Sequence, residues 1–331
     1  AIHANRRPLG QVAGGSAESM RLVDQLFVQA DYLGGQFRRA FLRAIQFRYV
    51  LWACMASSLF VFDKKSEGTL GLAIILAVVS MFLMGRAHAA RAHRHSWHRK
   101  YLDYRALAEA LRVDYFWETT GVRHRYAGEF AHESFLQKQD LELEWIRGAM
   151  RAVSLRVSLQ ANPPTEAGFA RAQAAWIGDD SPAGEQGQLH YYGARADRLH
   201  HWLHRAEGIN RVLLTTGTLL AITFVIDAVL QLKHLELLPH SLRHGLLWTM
   251  SLLTIYAGIF ETYLAERADR TLIRQYRYMH GLFQVADREL RLAATPDDKL
   301  EILRSLGHAC LAEHAQWTLA QRDKTIQGLK W

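Results

Sequence analysis

Three carboxylates stand where an acid is costly. Asp227 lies inside the apolar stretch 212–232, Asp63 closes the stretch 49–62, and Glu261 sits near the end of the stretch 245–264. An ionised side chain in a membrane-length apolar segment faces a cavity or a partner, because hydrocarbon offers neither water nor counter-charge. Such acids support two kinds of chemistry. Repeated around a symmetry axis, they form a ring that draws cations into a pore. Taken singly, they are interfacial acids that reach headgroup water or pair with a neighbouring cation, Lys233 for Asp227 and Arg267 for Glu261. Asp227 lies deepest and is the sharpest pore candidate.

The 17 histidines raise a second possibility. His200 and His204 stand four apart on a helix, a metal-ligand spacing, but no glutamate lies between them as in a zinc-protease motif. They share a basic segment with Trp202, and His88, His93, His95 and His98 form a similar group. Interfacial residues account for both groups, with a pH response as the alternative, and no metal site is expected. The chain has no phosphate loop, dinucleotide glycine fingerprint, Gly-x-Ser-x-Gly motif or cysteine pair at metal spacing. Its two cysteines, Cys54 and Cys310, form no framework. No cofactor and no enzymatic activity are expected.

The elements that place these acids are four apolar runs, 49–62, 69–85, 212–232 and 245–264. A hydrocarbon core of about 30 Å needs about 20 helical residues, with about 17 at the low end. The first pair is short, and the second pair strengthens it. Half of the 331 residues are hydrophobic, yet the mean hydropathy is −0.10, so most of the chain meets water or protein. The net charge is +8 with a pI near 9.6. That balance fits nucleic acid, anionic lipid or a topology signal. The last is favoured because the cations gather beside the apolar runs, with Arg48, Arg86, Arg211 and Arg267 at the four edges. Outer flanks 37–48, 86–100, 195–211 and 265–277 hold 17 lysines and arginines. The two hairpins hold only Lys64, Lys65, Lys233 and Arg243. The hairpins are therefore expected outside, and both termini and the long helices in the cytoplasm.

Between the runs the periodicity predicts helices. One covers 19–48 and runs into the first span; another extends unbroken from 86 to 118 with Tyr104, Leu107, Leu111, Tyr115 and Phe116 on one face. Further helices are expected over 133–160, ended by Pro163-Pro164, over 165–177, from Gln188 into the third run, and over 266–294. Thr295-Pro296-Asp297-Asp298 reads as a capped start for a last helix to about Lys324. The order of helix, two spans and long helix thus occurs twice. Phe60-Val61-Phe62-Asp63 matches Phe224-Val225-Ile226-Asp227 at an offset of 164, and Arg91-Ala92-His93-Arg94 matches Arg267-Ala268-Asp269-Arg270 at 176. The offset changes where the second hairpin is longer, which makes a duplication the economical reading. The fold class is an all-α membrane protein with four transmembrane helices in two repeated hairpins and long cytoplasmic helices. The expected division is a loose segment 1–18, a first two-span unit 19–160, a linker 161–187 and a second two-span unit 188–331. The opening Ala1-Ile2-His3 reads as a cut within a longer protein.

The stretch Trp97-His-Arg-Lys-Tyr101-Leu-Asp-Tyr104 through Glu109-Ala-Leu-Arg112-Val-Asp-Tyr-Phe-Trp117 resembles the helix after the spans in the SLATT family, the SMODS- and SLOG-associating two-transmembrane effector domains of bacteria. Glu142-Leu-Glu-Trp145-Ile-Arg147, Tyr191-Tyr192 and the closing Leu306–Trp317 are similar to other stretches of that family. The likeness runs from about residue 20 onward and rests on aromatic and arginine positions rather than a catalytic signature. It implies a membrane effector of bacterial conflict or antiphage systems in the inner membrane, forming a pore when a nucleotide-sensing domain, often of the SLOG type, fires. The expected partners are further copies of the chain, the lipid bilayer and that sensor, not nucleic acid. Trp97, Trp117, Trp145 and Trp317 are the candidate anchors between copies. The rival reading is a non-conducting oligomeric anchor that clusters sensor domains.

Overall fold

The computed structural model describes residues 18–64, 68–126, 144–157, 162–178, 187–232 and 239–328. Among them every regular element is helical: α1 (Glu18–Lys64), α2 (Gly68–Arg94), α3 (Trp97–Thr120), α4 (Val122–Arg125), α5 (Glu144–Val157), α6 (Glu166–Arg171) with a π-helical turn at Ala172–Ile177, α7 (Gln188–Gln231), α8 (His240–Arg267), α9 (Asp269–Leu292) and α10 (Pro296–Gly328). The expectation of an all-helical chain holds. So do the two long entries into apolar runs, since α1 and α7 are unbroken over 47 and 44 residues. The capped start of α10 is present as a reciprocal pair. Thr295 Oγ1 accepts from the Asp298 amide at 3.1 Å, and the Thr295 amide donates to Asp298 Oδ2 at 3.2 Å.

Three expectations change. The helix expected over 86–118 is broken: α2 ends at Arg94, and Ser96 takes φ 49 before α3 begins. A similar break separates α8 from α9, with Ala268 at φ 53. Neither site is a glycine, which is why composition did not mark it; an L-residue there costs about 1–2 kcal/mol. Of the helix expected over 133–160, α5 supplies 144–157, and the rest lies outside the described residues. Finally, among the described residues three helical segments rather than four are long and apolar enough to cross a membrane: Met20–Phe62, Gly68–Thr120 (α2 with α3) and Gln188–Gln231. α8 falls short because Thr249, Ser251, Thr254, Gly258, Glu261 and Thr262 interrupt its leucines and isoleucines.

The chain divides into two compact units, each taking residues from both sequence halves. The first comprises Ala1–Arg39, Ser96–Ala196 and Arg274–Trp331; the second comprises Ala40–His95 and Asp197–Ile273.

In the first unit α3 is the axis. The sequence predicts one apolar face, but α3 is buried nearly all round, with Leu102, Leu111, Val113, Tyr115, Phe116 and Trp117 enclosed. α10 packs along it most extensively, with α5, α4 and α6 closing the remaining sides. Trp117 donates its indole N–H to the Leu303 carbonyl at 3.2 Å, across a surface that Gly307 leaves open. The π turn brings Trp176 flat onto Phe116, with ring centres 5.2 Å apart and planes 1° from parallel. At the end of α3, Gly121 takes φ 82 beside Pro163 and Pro164, a position where a Cβ would strike the proline backbone.

In the second unit the side-chain contacts order the helices as α2, α1, α8, α7. Phe47 packs on His88, and Leu51 lies 3.4 Å from where a Cβ would stand on Gly85, which pairs α1 with α2. Phe60 meets Trp248 at 4.0 Å and Tyr49 meets Tyr263 at 5.5 Å, so α1 and α8 run antiparallel. Gly217 lets α7 approach Thr254 of α8, whose Oγ1 would lie 3.2 Å from an added Cβ. Leu72, Leu76, Val79, Phe82, Leu219, Ile222 and Val225 point outward and remain exposed. Only 6% of the most apolar window of the helix containing α2 is buried in the chain, and 11% of that in α7. Apolar surface on this scale needs lipid or protein around it.

Candidate functional site

The acids singled out in the sequence meet different fates. Asp227 is fully buried on α7, where it takes hydrogen bonds from Arg243 of α8 and from Gln231 Nε2 at 3.0 Å. Its neutralising partner is thus an arginine of the facing helix, and the Lys233 expected for that role has its side chain outside the described residues. A buried carboxylate held by a guanidinium and an amide is a structural pair that ties the C-terminal end of α7 to the N-terminal end of α8. Asp63 closes α1, and its side chain lies outside the described residues. Glu261 is exposed on α8 and accepts from Asn210 Nδ2 of α7 at 2.6 Å. Arg267, the expected partner of Glu261, instead contacts Asp269 at 2.9 Å and lies over the Trp202 ring at 3.8 Å.

The basic edge residues divide in the same way. Arg48 forms an ion pair with Glu266, so α1 is clasped to the C-terminal end of α8, where Gln46 Nε2 also donates to the Tyr263 hydroxyl at 3.5 Å. Arg86 and Arg211 are exposed. Midway along, the Ser57 and Tyr256 hydroxyls share a hydrogen bond between α1 and α8. Other hydroxyls close on their own helices. Thr249, Ser251, Thr254 and Thr262 each donate to the carbonyl four residues earlier on α8, at 2.8–2.9 Å. This satisfies the hydroxyl protons while leaving the oxygens and the small side chains on the surface. Gly258 has open space on its Cβ side, and Thr254, Gly258, Glu261 and Thr262 are all exposed. α8 therefore carries a small and polar face that stays exposed, although its margin meets α7 where Gly217 approaches Thr254 and Asn210 binds Glu261.

The first unit contains a second ionisable set. α3 buries Asp103, Glu109, Asp114 and Glu118. Asp103 pairs with Arg322 of α10 and accepts from the Trp145 indole at 3.3 Å. Glu109 binds Arg112 at 2.6 Å and lies 4.0 Å from His314 Nε2. Asp114 and Glu118 share Arg123 of α4 at 3.4 Å and 4.0 Å, and Glu118 also takes the Asn162 amide at 3.2 Å. Burial pushes the Asp114 carboxyl up to about 6 against the pull of Arg123. Burial also raises Glu118, whereas for Glu109 the burial effect is outweighed by Arg112 and His314, so its pKa is lowered. These acids pin α3 to α4, α5 and α10. Sequence gives no sign of it, because each acid sits among residues that are equally common on an exposed helix.

The four tryptophans separate as well. Trp117 and Trp317 are spent inside the protomer, the first under α10 and the second edge-on to Tyr101 at 6.0 Å, so they leave little surface for another copy. Trp145 remains 43% exposed, and Trp97 is half-buried. Among the described residues no group of three or more His, Cys, Asp or Glu could hold a metal ion; His200, His201 and His204 lie exposed along α7.

No protein family, curated protein or solved structure matches the chain. The functional reading therefore rests on the helices and side chains themselves.

Proposed function

We propose that the protein is an oligomeric membrane effector whose four apolar helices cross the bilayer as two hairpins and whose copies assemble around a pore. The observation that carries this reading is the exposed face of α8. Three helices present leucine, valine and phenylalanine outward, as lipid-facing spans do. α8 presents Thr254, Gly258, Glu261 and Thr262 beside its exposed Leu247 and Ile255. In hydrocarbon, small and hydroxylated faces associate with other helices rather than with acyl chains. With α8 facing a symmetry axis, its polar groups line an aqueous path or the seam between copies. Glu261 replaces Asp227 as the charged lining residue, because Asp227 is already neutralised by Arg243. The basic flanks support a cytoplasmic first unit acting as a gate driven by a sensor, and the likeness to bacterial conflict effectors suggests the setting. The second reading, a non-conducting anchor, is favoured by the internal satisfaction of Asp227 and of the α8 hydroxyls.

Oxidative cross-linking tests the arrangement. In a chain with Cys54 and Cys310 replaced by serine, Gly258→Cys is expected to give disulfide-linked dimers in native membranes, and Val79→Cys of α2 is not. Equal cross-linking at both positions contradicts the assignment of α8 to the interface. Ion flux in reconstituted vesicles then separates pore from anchor: a triggered flux favours the pore, and its absence with an activated sensor favours the anchor.

A further inference from the structure

From Asp197 onward, one side of α7 stays exposed. Arg198, Arg205, Val212, Leu219 and Ile226 follow one another at seven-residue intervals, and each is exposed. Seven residues make close to two helical turns, so these side chains form one stripe. The opposite side is spent inside the second unit, where Leu199, Leu203, Ala206 and Asn210 are buried. The stripe changes its chemistry once. Up to Arg211 it is basic, with His201 and His204 exposed beside the arginines. Between Val212 and Ile226 the chain carries no ionisable residue at all. α7 is a single helix across the change.

Little counter-charge meets the basic part. Asp197 is exposed on α7, and Glu207 is bound to Arg270 of α9 at 2.7 Å. From α8, Arg267 lies over the Trp202 ring at 3.8 Å and is bound to Asp269 at 2.9 Å, while Glu261 accepts from Asn210 at 2.6 Å. Among the described residues no ion pair engages Arg205 or Arg211. The His200 and His204 rings have centres 6.5 Å apart and planes 25° from parallel. Charging both sets two cations side by side, and a neighbouring anion relieves their repulsion. Histidine is the side chain whose charge changes between about pH 8 and about pH 5.

We propose that Arg205, Arg211 and the exposed histidines at this end of α7 hold the headgroup of an anionic phospholipid, and hold it more tightly in acid as the imidazoles gain charge. A soluble phosphate would meet the cations and leave the aliphatic stripe bare. An anionic phospholipid matches both parts in the order in which they stand, with its phosphate against the arginines and its chains along Val212 and Leu219. At 1.5 Å per residue Arg205 stands about 10 Å along the helix from Val212, and its long side chain reaches back toward the headgroup layer. The proposal rests on α7 crossing the bilayer. It requires neither that α8 face other copies nor that the chain conduct.

The test uses the full chain in neutral detergent, with native mass spectrometry counting bound phosphatidylglycerol and phosphatidylcholine of matched acyl chains. At about pH 7.5 the wild-type chain is expected to bind phosphatidylglycerol about tenfold more tightly, and at about pH 5.5 the preference is expected to rise about fivefold further, the effect of one added charge at the surface. Arg205→Gln with Arg211→Gln is expected to bring the two lipids near parity at the higher pH. His200→Gln, His201→Gln and His204→Gln together are expected to keep the preference at the higher pH and to lose its rise in acid. Thermal melting of each variant shows that it is folded. Equal affinity of the wild-type chain for the two lipids overturns the headgroup site, as does a preference that the arginine variant keeps. An acid rise that the histidine variant keeps overturns the part given to the histidines. Displacement of phosphatidylglycerol by glycerol phosphate at equal concentration overturns the assignment to lipid in favour of a soluble anion. Retention of neither lipid overturns the crossing of the bilayer by α7 on which the proposal rests, an outcome distinct from retention of both alike.

Discussion

Asp227 and Asp114 are both buried acids, and each is paired with an arginine. Asp227 is matched by Arg243, so removing the arginine leaves a carboxylate uncompensated at the end of an apolar helix. Arg243→Gln is expected to destabilise the protein by about 3 kcal/mol, while Asp227→Asn combined with Arg243→Gln recovers most of the loss, read by thermal melting in detergent. Asp114 instead keeps its proton up to about 6, above its ordinary 3.8. Between those values the folded chain holds a proton that the unfolded chain has released. The stability due to that proton is complete below 3.8 and is lost as pH rises through about 6. Asp114→Asn should therefore flatten the fall in melting temperature between pH 4 and 6 relative to wild type, and a parallel fall in both proteins would refute the assignment. Asp227 could be picked out in the sequence because an acid interrupts an apolar run. Asp114 could not, since nothing local distinguishes a helix buried on all sides from one buried on a single face.

Helix existence was largely legible from apolar period and caps, and helix breaks were not. Pro296 after Thr295 marks the start of α10, and Gly121 marks the end of α3. The breaks at Ser96 and Ala268 carry no such mark, because both residues adopt the left-handed region at an energetic cost. Ala268→Gly should recover about 1 kcal/mol of that cost and raise the melting temperature by a few degrees. A drop instead would show that the left-handed turn there is not a source of strain. Gly307 gives the reverse case. Its missing Cβ makes room for the Trp117 indole, so Gly307→Ala should shift Trp117 off the Leu303 carbonyl. The expected cost is about 1–3 kcal/mol for overpacking, measurable as a lower melting temperature together with a changed tryptophan emission. The paired apolar runs could likewise be read directly, while the order α2, α1, α8, α7 depends on contacts such as Phe60 with Trp248 that no local pattern announces.

At the scale of the whole molecule, one compact unit is built around a tightly enclosed α3 and the other exposes more apolar side chains than water tolerates. That contrast supports a protein with one part in the bilayer and one outside it. In the proposed reading, the polar face of α8 is where copies meet. Glu261 sits on that face, so Glu261→Gln should reduce cation-over-anion selectivity several-fold while leaving the copy number unchanged, read as a reversal-potential shift across planar bilayers. The most direct measurement is the copy number of the detergent-solubilised particle by native mass spectrometry, for the wild-type chain and for Gly258→Trp. A Cβ added at Gly258 meets no atom of the same protomer within 4 Å, and the position is exposed. The account predicts a closed oligomer for the wild type and a folded monomer or mixed smaller species for Gly258→Trp. A monomeric wild type, or an oligomer that Gly258→Trp leaves intact, would contradict it.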